Sequence, residues 1–123
     1  MNVLDVQQMI DKTEYWDMPI SFFQVSFFGD EIVMHIDCET KEYWEICFKQ
    51  CYHVEYTTDA DWRGDVEVKQ MKDAQLGYYG QDIEVMKSSV PGFYKVKMDL
   101  AIMDVVVECK DITVKKLRNV KAE

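Results

Sequence analysis

The sequence predicts a mainly β fold of the α+β kind: an antiparallel meander sheet, curved or partly closed, preceded by a short N-terminal helix. Three observations predict it. Apolar residues alternate with polar ones, with period two, over 23–27, 32–38 and 44–48 and again over 94–100 and 105–109. A Gly29-Asp30 pair sits between the first two runs as a hairpin turn would. Hydrophobic residues make up 48% of the 123-residue chain and aromatics 13%, enough for a packed core.

The chain fits one domain, 1–123. Residues 3–12 carry Val3, Val6, Met9 and Ile10 at helical spacing, so one stripe of a short helix packs on the sheet. Pro19 argues against further helix. A three-stranded meander follows over 20–57. With a two-residue turn at Gly29-Asp30, Phe27 faces Ile32, Val25 faces Met34 and Phe23 faces Ile36, all on one apolar face. The next strand then sets Ile46 opposite Ile36, Phe48 opposite Met34 and Cys47 opposite His35, and its phase continues through Tyr52, Val54 and Tyr56.

Residues 58–92 read as irregular, with a turn-rich Asp59–Asp65 loop and short strands near Val66–Val68 and Ile83–Val85. Alternation returns in C-terminal strands over 93–115: Tyr94, Val96, Met98 and Leu100 share a face, as do Val105, Val107 and Cys109.

Charge narrows the function. The chain carries a formal −9, which disfavours nucleic acid and anionic membrane and admits a basic protein partner. Its plainest use is solubility. Asp30–Glu67 holds eleven acids against three bases, while Lys110–Glu123 has a net of +3 and reads as a solvated tail. The N-terminus has neither the basic nor the apolar region of a signal peptide. No apolar run reaches a membrane span. Both place the protein in the cytoplasm with Cys38, Cys47, Cys51 and Cys109 reduced.

No catalytic, cofactor or metal site emerges. Cys47 and Cys51, four residues apart on a strand, are roughly 13 Å apart, too far to share zinc. Asp59-x-Asp61-x-Arg63-Gly64-Asp65 departs from a calcium loop at Arg63 and at Gln70, and reads as Asx-type turns. A Cys47–His35 pair would sit among acids that oppose a thiolate. Trp62, between Asp61 and Arg63, either lids the core or anchors a partner.

The order of these features, with Ile46-Cys47-Phe48 ending a strand, the loop at Trp62, and Val107-Glu108-Cys109-Lys110-Asp111-Ile112 closing the chain, resembles the small mainly-β immunity proteins encoded beside bacterial polymorphic toxins and their YxiG-like relatives, over roughly residues 15–115. The resemblance implies a non-enzymatic inhibitor that blocks a cognate toxin. An acidic face of Glu42, Glu45, Glu55, Asp59, Asp61, Trp62 and Asp65 is then the candidate contact with a basic toxin. Two other classes stay open: a structural or homo-oligomeric domain whose sheet edges need cover, and a small-molecule binder with a pocket in the sheet.

Overall fold

The structure, a computed structural model, describes residues 1–38, 41–72 and 75–118. Its one helix of more than three residues among these is α1, Val3–Asp11. Asn2 starts it: its side chain accepts the Asp5 N–H at 2.8 Å, and the Asp5 carboxylate accepts the Asn2 N–H at 3.1 Å. This reciprocal cap satisfies two orphan donors. The helix buries Val6 and Ile10. No helix among the described residues is long and apolar enough to cross a membrane.

Six strands follow: β1 Ile20–Ser26, β2 Glu31–Asp37, β3 Glu42–Thr58, β4 Tyr78–Lys87, β5 Tyr94–Ala101 and β6 Met103–Arg118. They form one antiparallel sheet in the order β1-β2-β3-β6-β5-β4. The mainly β, curved antiparallel architecture expected from the sequence is therefore present. The sheet curls without closing: among the described residues Pro19, just before β1, bridges Tyr79 of β4. The inner face holds the core, with Ile32, Met34, Ile36, Ile46, Phe48, Val96, Leu100 and Val107 buried beside Val6 and Ile10.

The facing of the first strands is as the alternation dictates, but the register is not. Phe23 lies opposite Met34 and Val25 opposite Ile32, two residues away from the expected pairing. The turn is longer than Gly29-Asp30: Phe27, Phe28 and Gly29 all take left-handed φ of 54°, 58° and 96°, and the Asp30 N–H closes on the Phe27 carbonyl at 3.1 Å. The Asp30 carbonyl in turn accepts the Cys51 N–H at 2.9 Å, which ties the turn to β3 where Gln50 bends it at φ 54°. A shift of two preserves which side chains face inward. Phe27 is the casualty, leaving the strand and standing 72% exposed.

The same offset recurs in the next pair. Met34 faces Ile46, Ile36 faces Trp44, and His35 faces Glu45 instead of Cys47. Cys38 sits in the connecting loop, its N–H bonded to the Glu42 carbonyl at 3.0 Å, and does not face Trp44. Past the bend, a bulge between Cys51 and His53 resets the phase of β3, so Cys51 and Val54 pack on the core while Tyr52 is half exposed.

Two further expectations change. The stretch 58–92 contains a full ten-residue strand, β4. Val66 and Val68 form no strand, and Val68–Gln70 is a single 3-10 turn. Residues 111–118 of the basic tail are not solvated chain but the end of β6, paired along Glu42–Lys49 of β3. Residues 119–123 and Glu39 lie outside the described residues.

An open sheet has two exposed edges, and this fold covers one of them. Along β4, the Gln7 amide donates to the Ile83 carbonyl at 2.8 Å and accepts the Val85 N–H at 2.7 Å. The Tyr15 hydroxyl accepts the Ile83 N–H at 3.0 Å. Two side chains thus stand in for a missing strand. Tyr15→Phe leaves a buried N–H without an acceptor, and is expected to cost about 1–3 kcal/mol in urea denaturation.

Candidate partner-binding surface

The seven residues of the candidate acidic face do not assemble into one patch. Glu42 and Glu45 lie at the start of β3, and Asp59, Asp61, Trp62 and Asp65 lie in the loop beyond its end. The 17 residues of β3 separate them, roughly 50 Å along the strand.

The two ends differ in charge as well. Pairing with β6 sets Glu42 opposite Arg118 and Glu45 opposite Lys115. The Lys116 ammonium lies 3.8 Å from Glu42 Oε1 and 5.4 Å from the centre of the Trp44 ring. Glu45 Oε2 is 3.1 Å from His35 Nε2, and the His35 ring stacks on Phe22 and leans against Tyr43. This end of β3 is locally offset by its own bases. Glu55 is exposed farther along, 3.4 Å from His53 Nε2.

The loop end keeps its acids exposed. Asp59 Oδ1 accepts the Asp61 N–H at 2.8 Å, the Asx turn expected from the sequence. The Asp59 N–H is fixed on the Ile102 carbonyl at 2.9 Å. Trp62 turns inward from this loop. Its ring meets Tyr78 edge-on at 5.4 Å, and its indole nitrogen is buried with no acceptor among the described residues. It therefore braces the acidic loop against β4 and does not project from it.

Beneath that loop is a mainly apolar groove of about 220 Å³. It is lined by Ile20 and Phe23 of β1, Tyr56 of β3, Met103 of β6, Tyr78 of β4, and Leu76 before it. Phe23 and Tyr56 meet edge-on at 5.5 Å. Sequence spacing places these residues only in strands or in the irregular middle. Outside the groove, Phe27-Phe28 carries a separate signal: adjacent strand residues point to opposite faces, so two consecutive Phe before Gly-Asp cannot both be core.

The thiols are arranged for packing. The Cys47 Sγ–H donates to Glu31 Oε1 at 3.4 Å; burial, then that carboxylate, push the thiol up to about 11. Cys51 and Cys109 sit directly opposite each other on β3 and β6. The contact with Cys51 and complete burial hold the Cys109 thiol well above its usual range. A raised pKa opposes nucleophilic use of Cys47 and Cys109 at neutral pH, while the contact with Cys109 holds the Cys51 thiol below its usual range. Elsewhere, the Ser88 hydroxyl donates to Glu108 at 2.8 Å and holds that carboxyl below its usual range. Among the described residues no three His, Cys, Asp or Glu side chains are grouped to hold a metal ion.

The sequence matches the family described as Immunity protein PIM7 over residues 2–116. The chain belongs to that immunity protein family. The match takes in α1 and nearly all of β6, and so reaches all six strands. No curated protein matches the sequence. Among solved structures, an uncharacterized protein from Neisseria gonorrhoeae shares the fold, with a TM-score of 0.53 at 12% identity, over 82% of this chain and 92% of that one. For this PIM7 family member, the resemblance read from the sequence and the family match agree on an immunity role.

Proposed function

We propose that this protein is a non-catalytic immunity protein that neutralises a cognate toxin by binding it directly in the cytoplasm. The family match over residues 2–116 is the observation that carries the reading. The charge supports a basic toxin surface as the target: the chain is −9 overall, and the exposed Asp59–Asp65 loop carries Asp59, Asp61 and Asp65 against the one base Arg63. In this reading Asp59, Asp61 and Asp65 meet the toxin, Glu55 adds to the field, and Trp62 holds the loop in place. Glu42 and Glu45, engaged by Lys116 and His35, contribute less.

Such a surface acts chiefly on the rate of encounter. Asp59→Lys/Asp61→Lys/Asp65→Lys is expected to slow association with the toxin encoded beside this gene by tenfold or more, and to flatten its dependence on salt. Stopped-flow mixing with a catalytically dead toxin reads both. Absence of binding at micromolar concentration would overturn the immunity reading. An unchanged association rate would remove the acidic loop from it.

A further inference from the structure

We propose that the outer edge of β1 is the docking line for an extended, basic segment of the toxin, which joins the sheet beside β1 and sets one apolar side chain in the groove. This rests on the immunity reading above and names the surface it uses.

The first observation is an asymmetry between the two sheet edges. The backbone of β4 at Ile83 and Val85 is bonded by Gln7 and Tyr15. On β1 the chain's own cover ends at Pro19, which bridges Tyr79. From Ser21 to Ser26 no described residue pairs with β1 on the side away from β2. A bare edge of this kind is a template for another strand, and proteins normally blunt it. Here it carries neither Pro nor Lys: its sequence is Ser21-Phe-Phe-Gln-Val-Ser26.

The second observation is what lies at each end of that edge. At the start, Ile20 and Phe23 wall the groove of about 220 Å³. That is below the roughly 300 Å³ at which small-molecule pockets begin, and suits a single large side chain. At the far end, Phe27 is 72% exposed and Phe28 fully so, both at left-handed φ. Bulky residues held in that region of backbone space concentrate at binding sites, and exposed aromatics are frequent interface anchors. Strand addition uses these two elements together: main-chain bonds along the edge, and pockets for alternate side chains.

Charge selects the occupant. The groove is also lined by Thr58, which Asp59 directly follows, and by Val68, to which the loop bearing Asp59, Asp61 and Asp65 leads. A second copy of a chain at −9 would bring like charge to this rim. A strand with Lys or Arg beside its apolar residue meets opposite charge there.

Hydrogen exchange on the full chain, free and with saturating catalytically dead toxin, tests the proposal. Binding is expected to slow exchange of the amides of Ser21–Ser26 at least tenfold. Phe27→Ser/Phe28→Ser alters only solvent-exposed side chains and is expected to weaken binding tenfold or more while leaving the thermal transition in place. Toxin binding with unchanged β1 amides would overturn this inference and leave the immunity reading standing. No binding at all would remove both. Concentration-dependent protection of β1 in the free protein, with a dimer mass in light scattering, would assign the edge to a second copy and overturn the toxin strand.

Discussion

Met34→Asp abolishes the cooperative thermal transition, while Phe27→Asp leaves it nearly unchanged. Met34 is completely buried at the centre of β2, between Phe23 on β1 and Ile46 on β3. An aspartate there has no base within the core cluster, which contains no Lys, Arg or His. Burying the carboxylate costs several kcal/mol even after relaxation, and a lost Met side chain adds about 2–5 kcal/mol. A domain of this size holds only about 5–15 kcal/mol in total. Phe27 stands in the turn after β1, so a charge there stays in water. The expected result in circular dichroism is a molten or unfolded Met34→Asp protein and a native Phe27→Asp protein. Loss of structure in Phe27→Asp would restore the two-residue turn read from the sequence, because only that register turns Phe27 inward.

The pair of variants marks where sequence reasoning stops. Period-two alternation reports which face a side chain takes, and Phe23, Val25, Met34 and Ile46 face as their spacing says. Register follows from turn geometry, and here the turn places two phenylalanines at positive φ. Local propensity argues against that conformation for bulky residues. Its support comes from the Asp30–Cys51 bond, a contact with a strand twenty residues on. β4 was half hidden for a related reason: Gly80, Gln81 and Asp82 interrupt its alternation at the register shift between Tyr78 and Asp82, leaving only Ile83 and Val85 as a visible pattern. The basic tail reads as solvated chain in sequence because its partner strand begins some seventy residues earlier.

The acidic face shows the same limit for function. The acids of Asp30–Glu67 are neighbours in sequence, but a long strand carries them to opposite ends of the sheet, and β6 delivers bases to one end only. The overall charge and the immunity resemblance were legible. The apolar groove and bare β1 edge were not, since both are made by elements far apart in sequence.

Gly80→Ala is expected to lower the melting temperature by about 10 °C or more. Gly80 has an ordinary negative φ, so backbone freedom is not the reason for a glycine. The reason is approach. A β-carbon there would collide with the Tyr15 carbonyl oxygen and lie 3.1 Å from the Tyr15 ring. The obstacle is backbone, held from both sides: the Asp17 N–H donates to the Gly80 carbonyl at 2.7 Å, and the Gly80 N–H donates to the Met18 carbonyl at 3.0 Å. To admit a methyl group the 15–18 segment must move away from β4. That movement strains these two bonds and draws the Tyr15 hydroxyl off the Ile83 N–H. Overpacking costs about 1–3 kcal/mol, and an orphaned buried N–H about 1–3 kcal/mol more. Gly92→Ala supplies the contrast. Gly92 has φ 84° but nothing within 4 Å of an added β-carbon, so only the conformational penalty applies, about 1–2 kcal/mol. Equal shifts for the two variants would show that 15–18 does not press on β4. The cover of β4 would then rest on the Gln7 bonds to Ile83 and Val85 alone.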